Sequence, residues 1–256
     1  NIKRVMQESK YNYVVSVVDD GSKDSTAEIA RNEGAIVTSH PYNYGLAEAF
    51  KTEIKKAIEL NADVIVHTDA DGQYSADDIP RLLHELETGA SLVLGSRFLG
   101  SIESMPVMKW LGNMAFSRAI SHICKVKVTD AQTGFRAFTK AVAEQSIIST
   151  HTYTQEQIIR AVKNKYLIKE ISINVKKTRP SRLMRSHPAI QPFEYAVKAW
   201  VNLLRIYRDF EPLKFFGRLG SIFFTAGILL GSIILFFFLQ TGKVGHMPAT
   251  ILTMLL

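Results

Sequence analysis

Between positions 219 and 242 no side chain carries a charge. No feature of the chain restricts its fold more. A bilayer core takes about 20 apolar residues as a helix, and 221–240 is long enough. In lipid such a stretch must satisfy its own backbone hydrogen bonds, which an α-helix does. Upstream, charges are scattered as far as Arg218. The chain therefore reads as a soluble domain followed by membrane-embedded sequence. After Lys243 no charge follows to Leu256. The segment 244–256 is apolar but shorter than a span, and is read as an incomplete second transmembrane helix. Lys and Arg crowd the N-terminal flank of the first span, between Lys176 and Arg218. That places the preceding domain on the cytoplasmic face and the link near Lys243 on the far side, a multi-pass arrangement.

Just before the span, Phe193, Val197, Trp200, Leu204 and Tyr207 recur at helical spacing among Lys198, Arg205 and Arg208. This is the pattern of an amphipathic helix lying in a membrane interface. The expected organisation is a soluble domain over 1–186, an amphipathic juxtamembrane segment over 187–216 and a transmembrane region over 217–256.

Composition narrows the partners. Hydrophobic residues make up 46% and charged residues 21%, which excludes disorder for the bulk of the chain. The single cysteine, Cys124, allows no internal disulfide, and no Cys/His cluster suggests zinc. Net charge is +7. No run of Lys or Arg points to nucleic acid, so an anionic lipid surface or a phosphate-bearing ligand is the expected partner.

From the N-terminus, strand and helix patterns alternate with short connections. Residues 1–10 read as a helix and 13–18 as a buried strand. Ser25 and Glu28 have capping-box spacing, with Gly34 at the C-terminal stop. Residues 35–38 form a strand. Leu46, Phe50, Ile54 and Ile58 mark a helix closed by Asn61. Strands at 63–68 and 91–94 flank a helix at 77–88. This predicts an α/β domain with a parallel sheet covered by helices. Further on, 106–125 and 154–164 are predicted helices, and 133–139 and 166–175 strands. Ligands of such sheets bind beyond the carboxyl ends of the strands. Asp19 and Asp20, Asp69 and Asp71, and Arg97 each fall there.

In extended backbone Asp69 and Asp71 face the same way, and two carboxylates repel unless a cation lies between them. Hard oxygen donors, with Gln73 adding an amide oxygen, suit Mg²⁺ or Mn²⁺. An ordinary solvated turn has the same composition. Asp20 is equally open: it can accept hydrogen bonds from a ligand or cap a helix. No G-x-G-x-x-G follows a strand, no P-loop is complete and no G-x-S-x-G occurs. His67, His84 and His246 are isolated and read as structural.

Four motifs then stand in one order: Val18-Asp19-Asp20-Gly21-Ser22, Asp69-Ala70-Asp71-Gly72-Gln73, Gly95-Ser96-Arg97-Phe98 and Asp130-Ala131-Gln132-Thr133-Gly134-Phe135-Arg136. Together they resemble family 2 glycosyltransferases, in the dolichol-phosphate mannose synthase-like branch. The resemblance implies a GT-A fold, a nucleotide-sugar donor, Mg²⁺ or Mn²⁺, and a polyprenyl or dolichyl phosphate acceptor in a lipid bilayer. Homo-oligomers are compatible with it. On the donor side it implies Asp20 at the base; Asp69, Ala70, Asp71 and Gln73 at the metal and diphosphate; and Arg97, Arg179 and Arg182 near the phosphates. It makes Asp69, Asp71 and Gln73 the metal ligands, and Asp71, Arg97 and Arg179 the catalytic set. On the acceptor side it implies Lys109, Asn113, Asp130, Arg136 and Glu156. Lys109 stands where the family has arginine, and loses the bidentate fork. Leu46 replaces a lysine usual after Asn43 and Gly45. The family also opens with a strand that this chain lacks, which implies a piece preceding Asn1.

The implied reaction is inverting transfer of one hexose to the lipid phosphate, with GDP-mannose favoured over UDP-glucose or UDP-N-acetylglucosamine. A processive polysaccharide synthase would carry Gln-x-x-Arg-Trp, whereas Ala161 follows Gln157-Ile158-Ile159-Arg160. A non-catalytic membrane-anchored binding module would not need the full set of acids and arginines.

Overall fold

The computed structural model describes residues 1–148, 153–176, 201, 204–205 and 207–242. The chain divides into two compact units, Asn1–Trp200 and Val201–Leu256. The juxtamembrane stripe falls mostly outside the described residues, as do Arg179, Arg182 and the apolar segment 244–256.

The first unit opens with α1 (Ile2–Gln7), β1 (Ser16–Asp19), α2 (Thr26–Asn32), β2 (Ile36–Ser39), α3 (Leu46–Glu59) and β3 (Val64–His67). A 3₁₀ turn (Ala76–Asp78) leads into α4 (Ile79–Glu87), followed by β4 (Leu92–Ile102) and α5 (Val107–Cys124). Then come β5 (Arg136–Thr139), α6 (Lys140–Ala143), α7 (Tyr153–Lys163) and β6 (Ile168–Val175). β1 and β2 pair in parallel. The other four strands run in the order β3-β5-β4-β6.

The sheet is mixed, which corrects the parallel arrangement expected from the alternation. β5 is antiparallel to both neighbours, and β4 and β6 are parallel. The cause lies in the return path of the chain. After α5 the turn around Asp130 meets Arg97, at the far end of the buried part of β4. The chain therefore enters β5 from the carboxyl ends of β3 and β4 and must run back between them. Strand–helix alternation runs on through α5 into β5, so no local pattern announced this.

The capping box also resolves differently. Ser25 makes no side-chain cap. Instead the Asp24 carboxylate accepts from the Thr26 N–H at 3.1 Å, one residue further upstream. At the other end Gly34 adopts φ +74° and the Ala35 N–H reaches the Ala30 carbonyl at 3.0 Å, a Schellman closure.

The central strand, β4, is buried from Leu92 to Arg97. Val93 packs with Met6, Leu82, Phe135, Ala137 and Ile173 in one apolar cluster. Each fully buried large apolar chain contributes about 1.5–3 kcal/mol of transfer free energy. β4 and β6 lose register between Ser96 and Ser101, where residues 97–100 face Ile173 alone. Such a bulge bends its strand and re-aims side chains. It falls on Arg97 and Phe98.

In the second unit the helix α8 (Pro212–Thr241) is long and apolar enough to cross a membrane, the single such helix among the described residues. Its 30 residues extend about 45 Å at 1.5 Å per residue. Ser221 and Thr225 return their hydroxyls to the carbonyls four residues back, at 2.7 Å each. That satisfies their polar groups within the helix, as lipid requires.

Candidate active site

The carboxyl ends of β1 and β2 are clasped together. Asp20 accepts from the Tyr44 N–H at 2.9 Å and the Gly45 N–H at 2.8 Å, and meets His40 Nδ1 at 2.7 Å. Burial alone would raise its pKa, but these three hydrogen bonds outweigh it and hold the carboxyl below its ordinary value. His40 Nε2 lies 2.9 Å from Thr52 Oγ1 on α3. Gly21, at φ +72°, sits under the Tyr42–Asn43 backbone; a Cβ there would lie 2.4 Å from the Tyr42 carbonyl carbon. Asp20, expected at the donor's base, thus holds the loop that leads into α3.

At the end of β3 the two acids separate in character. Asp71 is exposed, and its Oδ1 accepts from the Gln73 N–H at 3.1 Å. Asp69 is half-buried and its pKa is raised, first by desolvation, with the Asp71 charge adding to this. Gly134 lies against it, and a Cβ there would come within 2.6 Å of Asp69 Oδ2. Ala70 between the two acids is exposed. Behind them His67 is buried, with Nδ1 2.7 Å from Glu53 Oε2 and Nε2 3.3 Å from the Tyr153 hydroxyl. Adjacent residues of α3, Thr52 and Glu53, therefore hold the two histidines that follow or end β2 and β3.

The bulge of β4 turns Arg97 onto Asp130. Nε donates to Oδ2 at 2.6 Å and Nη2 to Oδ1 at 2.8 Å, a bidentate pair with both partners buried. Asp130 also accepts the N–H groups of Arg97 and Gln132. Its own backbone is fixed by Glu170 of β6, which accepts from the Thr129 and Asp130 N–H groups. Burial would lower the Arg97 pKa, but the bond and charge of Asp130 raise it. Arg97 also lines a cavity of about 320 Å³ with Phe98, Gly100, Ile102, Met105 and Trp110. Lys109 is half-buried. Its pKa is lowered by burial and then by the Arg97 charge, while Asp71 pulls it up. Asn113 lies beneath, 2% exposed, with its amide 3.9 Å from Met105 Sδ.

The remaining acceptor-side residues are enclosed. Arg136 is fully buried and donates to the carbonyls of Thr133 and Thr154 and to Gln157 Oε1 at 3.0 Å, which ties β5 to α7. Among the described residues its Nε has no hydrogen-bond partner. Burial is the main cause lowering its pKa. Glu156, 2% exposed, accepts from the Ile148 N–H at 3.0 Å and Arg160 Nε at 2.7 Å. The structure thus brings Asp69, Asp71, Arg97 and Lys109 into one another's fields, and sets Asp130, Arg136 and Glu156 into the scaffold around them.

Sequence reasoning passed over His40, Glu53, Glu170 and the aromatic wall of the cavity. For His40 a signal existed, a histidine directly after a strand, as with the aspartates. For Glu170 none did, since it lies within a strand and meets its partners across 40 residues and more.

Comparison with known proteins gives a family and a fold. The family model described as Glycosyl transferase family 2 matches residues 1–147. UDP-N-acetylglucosamine–dolichyl-phosphate N-acetylglucosaminyltransferase from Methanococcus voltae is 33% identical over 68% of this chain and 78% of that protein. Polyprenol monophosphomannose synthase from Mycolicibacterium smegmatis is 26% identical over 62% of this chain and 65% of that protein. The fold is shared with glucosyl-3-phosphoglycerate synthase from Mycobacterium tuberculosis. Its complex with Mn²⁺ and UDP-glucose gives a TM-score of 0.56 at 19% identity, over 76% of this chain and 67% of that one. Its phosphoglyceric acid complex gives 0.53 at 20% identity, over 65% of this chain and 62% of that one.

Proposed function

Because the chain belongs to glycosyl transferase family 2, we propose that it moves one hexosyl residue from a nucleotide sugar to a membrane polyprenyl phosphate. The observation that carries this is the convergence of two unlike charge sets. Asp69 and Asp71 follow β3, while Arg97 and Lys109 stand beside an aromatic-lined cavity within reach of their fields. A donor diphosphate and an acceptor phosphate are both anions, so a site joining them needs fixed cations and a counter-charge for the acids.

A divalent ion fits the acids. Asp69 is half-buried at a cost and repelled by Asp71, so a cation relieves both strains. Mg²⁺ is commonly held by one or two carboxylates together with substrate phosphates. Asp69 and Asp71 would hold it, with Gln73 adding an amide oxygen. When bound, such an ion neutralises charge growing on the leaving diphosphate.

The chain's own residues supply the rest. Arg97 is oriented before substrate arrives, because Asp130 grips it on two sides. Lys109 sits on the first turn of α5, where backbone N–H groups also favour an anion. A phosphate monoester has a second pKa of about 6, so the acceptor oxygen is already anionic at neutral pH. It attacks the anomeric carbon as the bond to the diphosphate breaks, with inversion, and the nucleoside diphosphate leaves. No protein base is required. Asp130 and Glu156, the two acids that might have served, are buried and hydrogen-bonded to scaffold groups. Arg179 and Arg182 complete the donor side on this reading. On this reading the basic flank before α8 supports a reaction on the cytoplasmic face.

The test is incubation of membranes bearing the protein with polyprenyl phosphate and radiolabelled GDP-mannose, UDP-glucose or UDP-N-acetylglucosamine. Label should enter the lipid extract from one donor, as a single sugar released by mild acid. Absence of lipid-linked label from every donor, or products longer than one sugar, would overturn the proposal. GDP-mannose is the donor we favour, and the panel decides it directly.

A further inference from the structure

Tyr42, Tyr44 and Leu46 are 66%, 43% and 61% exposed, three large side chains within five positions. Tyr42 and Tyr44 stand on the connection from β2 to α3, beyond the carboxyl end of a parallel pair, and Leu46 opens α3. Loops in such a place are usually mobile and polar. This one is neither. Its backbone is held by Asp20 through Tyr44 and Gly45, by the Asn43 amide on the Asp20 carbonyl at 3.4 Å, and by Gly21 packed beneath Tyr42. Tyr44 is itself wedged between His40, at 4.6 Å and 38°, and Tyr42, at 4.6 Å and 89°. Tyr42 is the outermost ring of this cluster, edge-to-face on Tyr44.

From this we infer that Tyr42 is the platform on which the donor's nucleobase stacks, and that Asp20 serves the base by holding that platform. The inference rests on the nucleotide-sugar reading above and names a residue for it. Three acceptor positions of Asp20 are already taken by the loop's own N–H groups and by His40, two of them on Oδ1 and one on Oδ2. An aromatic face, by contrast, takes any base, since every base offers a π surface. Rigidity matters because a ring already ordered loses little freedom on binding. The placement is also consistent with a ligand that bridges two points. Thr52 and Glu53, neighbours on α3, fix His40 beside the tyrosines and His67 behind Asp69. One helix thereby sets the aromatic loop and the diphosphate-side acid in a constant relation.

The experiment is calorimetric titration of the full chain in nanodiscs, with Mn²⁺ present, by UDP, GDP and inorganic pyrophosphate in turn. Wild type should bind at least one nucleoside diphosphate more tightly than pyrophosphate. Tyr42→Ala should weaken that nucleotide about tenfold, the scale of aromatic–base stacking, and leave pyrophosphate within about twofold. Tyr42→Phe should restore the affinity, because the ring and not the hydroxyl does the binding. An unchanged nucleotide Kd in Tyr42→Ala would overturn the inference alone. So would an equal loss for nucleotide and pyrophosphate. Wild-type protein that binds neither nucleotide would overturn the donor assignment and this inference with it.

Discussion

Asp130→Asn separates two roles that an acid beside an acceptor site can have. The carboxylate is fully buried and accepts four hydrogen bonds, three of them from Arg97. The amide keeps the shape, but it removes the anion and turns one acceptor into a donor aimed at a guanidinium. Breaking a buried pair by removing one partner costs about 3–5 kcal/mol, because the other charge is left uncompensated. For a domain of this size each kcal/mol lowers Tm by about 2–4 °C, so a fall of about 6–20 °C is expected. Arg97 loses its orientation as well, and misplacement of about 1 Å costs on the order of a hundredfold in rate. Thermal denaturation in detergent, together with a pH–rate profile at saturating Mn²⁺, measures both. The activity deficit should be the same across pH. Arg97→Met with Asp130→Leu should recover much of the stability, since both charges leave together, and stay inactive. A wild-type Tm in Asp130→Asn, with a thousandfold lower kcat that recovers as pH rises, would refute the reasoning and make Asp130 a base.

Three further outcomes are expected. Asp69→Asn should abolish transfer yet raise Tm in EDTA at neutral pH. The folded pKa lies above the ordinary value, so the native state binds the proton more tightly, and stability falls as pH rises from about 3.8 through the raised pKa. The gain should therefore vanish below about pH 3.8, and a lower Tm at pH 7 would contradict it. Gly134→Ala should reduce activity more than stability, because its methyl group meets Asp69 Oδ2 at 2.6 Å; a Mn²⁺ titration should show a raised activating concentration. Lys109→Ala should raise the KM for polyprenyl phosphate about tenfold or more and that for the nucleotide sugar little, the loss of one charge-assisted contact; a change in the donor KM alone would move Lys109 to the donor side.

What the sequence determined by itself is what repeats or contrasts over short distances. The long apolar helix α8, a candidate span, was legible because no charge interrupts residues 219–242. β1, β2, β3 and the helices between them were legible from apolar periods of two and 3.6 with turn residues at their ends. The order of four short motifs was enough to name a family. Tertiary structure alone decided which way β5 runs, because direction depends on where α5 returns the chain and not on residues 136–139. It also decided what the polar residues do. Asp20 and His40 meet across 20 positions, Arg97 and Asp130 across 33, and Asp130 and Glu170 across 40. Asp130, Arg136 and Glu156 carry the same charges in any conformation. Burial and pairing turn them into framework, while Asp69 and Lys109 bear the cost of desolvation. That difference is a property of the packed interior, where an unpaired charge is expensive and a paired one is rigid.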